Sequence, residues 1–218
     1  MEPVFNRRLT LPRSAEILKT MDADLRDELL AMEKLDRQVR AQLLDEGTLG
    51  DGYNPRMREV HERNAARLKQ IVEAHGWPGR SLVGDQGSHA AWFIVQHAIG
   101  NPVFQRACAT AIERAVADGE APLAQLAYLV DRIRSYEGKP QIYGTQFDWD
   151  ENGEMNPWPI ENPEGVDERR HKAGLNTIAE RTREIREQAK REGDAPPKDR
   201  DEYNRKHEAW LRELGWRK

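Results

Sequence analysis

The sequence predicts a mainly α protein: a multi-helix domain with a small β-hairpin and an N-terminal helical pair. Three observations predict it. Apolar residues recur every three or four positions over most of the chain, the period of an α-helix. Asparagine–proline pairs stand at Asn54–Pro55 and Asn101–Pro102, where an Asn cap and a Pro in the first turn start a helix. One stretch, after Lys139, instead alternates weakly and carries turn residues.

The first helix is expected over residues 14–46. Ser14 serves as its N-cap, and Ile17, Leu18, Met21, Leu25, Leu29, Met32, Leu35, Val39 and Leu43 form one apolar stripe. Gly47 is its stop. A stripe of this length suits a helical hairpin or an intermolecular coiled coil. Asn54–Pro55 opens a second helix, with Met57, Val60, Leu68, Ile71 and Val72 inward, ending at His75–Gly76. A glycine-bearing loop from Gly76 to Gly84 follows, and Ser88 is expected to cap an apolar helix from His89 to Ala98.

Asn101–Pro102 starts a helix to about Ala117, and Pro122 one to about Tyr136, which Gly138 ends. Gln141 to Trp149 and Met155 to Ile160 read as the hairpin, around the turn Asp150–Glu151–Asn152–Gly153. Asp167 to about Arg191 is helical again, Pro196–Pro197 breaks the chain, and Asp199 to Leu214 is a last helix. The expected division is a helical hairpin or arm over 1–75, a motif-bearing core over 76–180 and a charged helical tail over 181–218, together one unit.

With 218 residues, the chain is long enough to bury a core. Charged residues make up 33% against 38% hydrophobic, so part of the helical surface is solvated. The net charge of -4 gives no basic excess for nucleic acid. The N-terminus lacks the apolar run of a secretory signal, and Ala90–Val95, the longest apolar run, is too short for a bilayer. A cytoplasmic location is expected. The single cysteine, Cys108, lies in a helical apolar context and reads as a buried hydrophobe. Walker, GxGxxG, GxSxG, CxxC and HExxH motifs are all absent, and the residues name no cofactor.

Chemistry-bearing residues concentrate between Trp77 and Arg170. His89, Phe93 and His97 follow one helical stripe. His97 reads either as an acid/base group at a pocket mouth or as a core histidine near a helix end. His89 and His97 are about 12 Å apart by helix rise, too far to share one ion. Tyr128, Asp131 and Arg132 share a face: Asp131 could fix a histidine tautomer and Arg132 hold an anion, or the set is a salt bridge. Gln141 and Tyr143 point one way on a strand and Gln146 the other, unless Gly144 kinks it. They read as amide-type substrate contacts or as bonds that fix an irregular hairpin. Asp167 to His171 reads as an acidic helix start or as the source of an arginine clamp.

Three blocks carry a resemblance. The first is Gly76–Trp77–Pro78 with Val83–Gly84, Ala90–Ala91–Trp92, Val95–Gln96–His97–Ala98, Pro102 and Phe104–Gln105. The second is Tyr128–Leu129, Asp131–Arg132 and Gly138 to Gln146. The third is Pro159–Ile160, Val166 to Arg170 and Gly174–Leu175. Over about residues 70–178 the chain resembles DUF6624, a bacterial family of unknown function. The resemblance implies no activity. It singles out Gln96, His97, Gln105, Asp131, Arg132, Gln141, Tyr143, Gln146, Asp167 and Arg170, and gives His89 less weight.

So many polar residues exceed what a core needs, since each one buried unpaired costs about 1–3 kcal/mol. The first expectation is a metal-independent enzyme acting on a small polar or anionic substrate. His97 would be its acid or base, Asp131 the orienter, and Arg132 with Arg170 an anion clamp; Gln96, Gln141, Tyr143 and Gln146 would position the substrate. The second is a non-enzymatic interaction or oligomerisation protein, docking a partner or a second copy through the N-terminal helices around a buried polar network. The third is a metal-dependent enzyme with His97 and Asp131 as ligands. No nucleic-acid or membrane partner is expected.

Overall fold

The computed structural model describes residues 21–48 and 53–218. Among them are eight α-helices and one two-stranded sheet, a mainly α fold. Helix α1 (Ala23–Asp45) is capped by Asp22, whose carboxylate accepts the Leu25 N–H at 2.9 Å. The helix therefore begins later than a Ser14 cap implies; Ser14, Ile17 and Leu18 lie outside the described residues. Helix α2 (Pro55–His75) starts at the expected Asn54 cap, and Gly76 (φ 74°) stops it.

Helix α3 (Arg80–His97) departs from expectation. Ser88 is buried inside it rather than capping it. Gly84 adopts φ 70°, open to glycine and strained for other residues, so the chain kinks there and the helix continues. Helix α4 (Pro102–Ala117) has the expected Asn101 cap, and α5 (Leu123–Tyr136) packs against it across a short turn.

The hairpin is shorter than expected: β1 (Phe147–Trp149) pairs antiparallel with β2 (Met155–Pro157). Gln141 makes only an isolated bridge to Ile160. The long helix expected from Asp167 is two, α6 (Val166–Lys172) and α7 (Ile178–Glu192), separated where Gly174 takes φ 70°. Thr177 and Glu180 form a reciprocal capping box at the start of α7. Helix α8 (Arg200–Glu213) follows the diproline break.

Helix α1 packs chiefly along α3, and α2 lies against both. One apolar cluster joins Leu25 and Leu29 of α1, Leu68 and Ile71 of α2, Ala90, Ile94 and Val95 of α3, Ile112 of α4, Leu129 of α5 and Leu211 of α8. Trp216 closes it, its indole N–H donating to the Ile99 carbonyl at 2.8 Å. Cys108 is fully buried in this cluster, and burial pushes its thiol up to about 12. No described helix is long and apolar enough to cross a membrane.

Candidate functional site

Where α1, α2 and α3 converge, each inserts one titratable side chain. Asp36 of α1 is 1% exposed. His97, at the last turn of α3, places Nδ1 at 2.9 Å from Asp36 Oδ2 and 3.1 Å from Oδ1. His61 of α2 places Nε2 at 3.2 Å from Oδ2, within ion-pair distance but not aligned as a hydrogen bond. The Tyr53 hydroxyl lies 2.7 Å from His61 Nδ1. The result is a chain of four polar side chains: Tyr53, His61, Asp36 and His97.

The electrostatics assign protons along that chain. Burial alone would raise the Asp36 carboxyl, but the His97 and His61 imidazoles beside it hold it down at about 2. Burial keeps His97 below the ordinary imidazole value, opposed by Asp36 and reinforced by the charges of His61 and Arg132. Burial also raises the Tyr53 phenol, helped by the nearby Glu62 carboxylate. At neutral pH the arrangement is thus an ionised Asp36, a neutral His97 and a protonated Tyr53. A neutral His97 that bonds Asp36 through Nδ1–H keeps its lone pair on Nε2. The His97 side chain is 26% exposed, against 10% for His61 and 1% for Asp36, so it is the member of this trio nearest to solvent. Its ring lies 4.2 Å from the Phe93 ring, centroid to centroid, and 4.9 Å from that of His61. Tyr53 also lines an open groove of about 1160 Å³, shared with Ile99, Tyr203, His207 and Trp210.

Asp131 is not the partner of His97. It is completely buried on α5, and its carboxylate accepts the backbone N–H groups of Ile142, Tyr143 and Thr145 at 2.7 to 3.2 Å. Burial pushes its pKa up, against those hydrogen bonds. This grip explains the short hairpin: N–H groups that would pair in a strand turn inward to one carboxylate. Gly144 supplies the bend with φ 67°, and a Cβ there would come within 2.7 Å of Ile160 Cδ1.

Arg170 is likewise engaged. Only 1% exposed, it donates from Nε to the Asn176 carbonyl (2.6 Å), from Nη1 to the Tyr143 and Gly144 carbonyls (2.8 and 3.1 Å), and from Nη2 to Asn176 Oδ1 (3.1 Å). Gln141 is also saturated: Nε2 donates to the carbonyls of Gln146 and Trp158, and Oε1 accepts the Gln146 N–H. Tyr143 enters this loop through its backbone, as a donor to Asp131 and an acceptor from Arg170. Asp167 accepts the Ile178 N–H at 2.7 Å. Gln105 donates to the Val95 carbonyl at 2.6 Å, bracing the end of α3. Gln96 is buried, and neither of its amide atoms has a partner.

Arg132 and Gln146 have a different setting. Both line a cavity of about 350 Å³ with Tyr128 and Thr145, and Gln146 Nε2 donates to Thr145 Oγ1 at 3.0 Å. Of the residues expected in a site, then, the structure puts His97 with Asp36 and His61, puts Arg132 and Gln146 together, and gives Asp131, Gln141, Tyr143 and Arg170 to the backbone of one loop.

Asp36 and His61 were missed by sequence reasoning, although a signal existed. Leu25, Leu29, Met32, Asp36, Val39 and Leu43 keep alternating steps of four and three, so Asp36 stands at an apolar position of the stripe. In α2, Met57, His61, Asn64, Leu68 and Ile71 do the same. A charged or polar residue on the inward stripe marks a buried partner elsewhere.

A buried carboxylate flanked by two imidazoles thus stands where three helices of a mainly α domain meet. The chain belongs to a family of unknown function, DUF6624, whose model matches residues 23–191 and so takes in Asp36, His61, His97, Asp131 and Arg170. No curated protein and no solved structure matches the chain.

Proposed function

We propose that the protein is a small enzyme that performs acid/base chemistry on a small polar or anionic substrate, with His97 as the acid or base and Asp36, not Asp131, as its orienter. One observation carries this reading: the buried Asp36 carboxylate bonds His97 Nδ1 at 2.9 Å while the imidazole remains partly open to solvent. A carboxylate so placed fixes the tautomer that keeps Nε2 basic and stabilises the imidazolium formed when Nε2 takes a proton. The Tyr53 hydroxyl extends the same chain through His61. A lone buried cysteine fits the reducing interior of a bacterial cytoplasm, where we place the reaction.

A second reading has its own support. Asp36, His61 and His97 present three ligand atoms within 4.8 Å of one another. The buried Nε2 of His61 stands 3.2 Å from Asp36 without an aligned hydrogen bond. Two histidines and one carboxylate suit a divalent zinc or iron centre with open positions. In that reading Asp36 takes the ligand role first given to Asp131, and the Tyr53 hydroxyl oxygen accepts a hydrogen bond from His61 Nδ1–H.

A panel of small esters, amides, and hydroxy and keto acids tests both readings. Products are followed by mass spectrometry with wild type and a folded His97→Gln variant, each with EDTA and with added zinc or iron. The first reading predicts turnover in EDTA that is lost in His97→Gln. Turnover that requires added metal moves the function to the second. Equal turnover by wild type and His97→Gln removes His97 from both.

A further inference from the structure

Helix α5, the loop before β1 and helix α7 line the open 350 Å³ cavity. That volume falls at the lower end of the roughly 300–1,000 Å³ of small-molecule pockets. Helix α5 contributes Tyr128 and Arg132, one turn apart; the loop contributes Thr145 and Gln146; α7 contributes Arg181 and Gln188. Two arginines from different helices therefore face one small space.

Their bonding is incomplete in the same way. The Arg132 guanidinium is anchored at Nη1, 3.4 Å from the Tyr136 hydroxyl, and that of Arg181 at Nη1, 3.0 Å from Glu184 Oε2. In both, the Nε is buried and has no hydrogen-bond partner. A buried N–H donor without an acceptor costs about 1–3 kcal/mol, more when the group is charged, so each guanidinium has donor capacity that no described protein atom satisfies. Guanidinium forks match the planar oxygens of carboxylates and phosphates. Glu192 and Asp194 also line the cavity, and they disfavour a polyanion.

We infer that this cavity is an anion-binding subsite that takes one oxyanion head group, a carboxylate or a monophosphate, between Arg132 and Arg181. Arg181 thereby fills the place that sequence reasoning gave to Arg170. The inference deepens the proposed function by naming the group the substrate carries, and rests on that reading only in treating the occupant as substrate. Arg132 connects the two, since its charge is felt at His97.

The test is titration of the full-length protein with inorganic phosphate and, separately, with acetate, following the arginine Nε–H resonances by NMR against sodium chloride at matched ionic strength. Saturable shifts of the Arg132 and Arg181 Nε–H signals, absent with chloride, are expected; the stronger of the two anions identifies the head group. Arg181→Gln, which leaves α5 intact, should weaken that binding at least tenfold while the protein stays folded by circular dichroism. Unchanged binding in Arg181→Gln, or shifts that chloride reproduces, overturns the inference. His97→Gln should leave anion binding intact, so the loss of the acid/base reading and the loss of this subsite are read separately.

Discussion

Two polar regions of this molecule use the same residue types to different ends. In the loop 141–146, the Asp131 carboxylate, the Arg170 guanidinium and the Gln141 amide are all bonded to main-chain N–H and carbonyl groups. At the junction of α1, α2 and α3, the polar side-chain partners of Asp36, His61 and His97 among the described residues are one another and Tyr53. A side chain that satisfies backbone is fixed in the folded state and has no capacity left for a ligand. A side chain that meets another titratable group can exchange protons, or a cation, without unravelling a loop. The comparison teaches that a density of polar motif residues does not locate a reaction; the identity of their partners does.

The largest effect should come from the loop. Replacing Arg170 with Leu leaves the carbonyls of Tyr143, Gly144 and Asn176 without their donor and should cost roughly 3–5 kcal/mol, read from urea unfolding. A loss under about 1 kcal/mol would mean that the loop does not depend on this cation. Asp131→Asn should come next, at about 2–3 kcal/mol, because an amide offers one acceptor oxygen where three N–H groups converge.

Asp36 sharpens the contrast through pH. Its folded value of about 2 lies below the unfolded aspartate value, so its contribution is fully present above about pH 4. That contribution, on the order of 2 kcal/mol, is lost as pH falls through about 2. His97, also depressed in the fold, acts in the same direction at higher pH: stability falls as the pH drops below about 6.5, where the unfolded imidazole takes up a proton. Measured in EDTA, Asp36→Asn should flatten the acid limb and His97→Gln the limb below neutrality; limbs identical to wild type would contradict the assignment. The smallest effect is expected for Tyr53→Phe, which removes one hydrogen bond to His61 and should cost about 1 kcal/mol.

The legible parts of the fold were those set by local chemistry. The Asn–Pro starts of α2 and α4 are visible because cap and proline act within one turn. Ser88 misled because a serine beside an apolar run has the same local signature whether it caps a helix or is buried inside one; Gly84 upstream let the helix begin early. Gly174 split α6 from α7 by a left-handed turn, although the apolar period runs on past it. Within the site, His97, Arg132 and Gln146 were legible as residue types out of place on an apolar or irregular element. Their partners were not, because Asp36 lies 61 positions from His97 and only packing brings them together. Arg181 was hidden in the charged helix α7, where exposed and inward arginines look alike in sequence.

In the proposed chemistry Asp36, and not Asp131, orients His97. Long-range proton–nitrogen NMR of the histidine side chains in wild type, Asp36→Asn and Asp131→Asn tests this directly. Wild-type His97 should be protonated on Nδ1 at neutral pH with Nε2 free, Asp36→Asn should move both its tautomer and its titration, and Asp131→Asn should leave both in place. A His97 signal that ignores Asp36→Asn and responds to Asp131→Asn would contradict it.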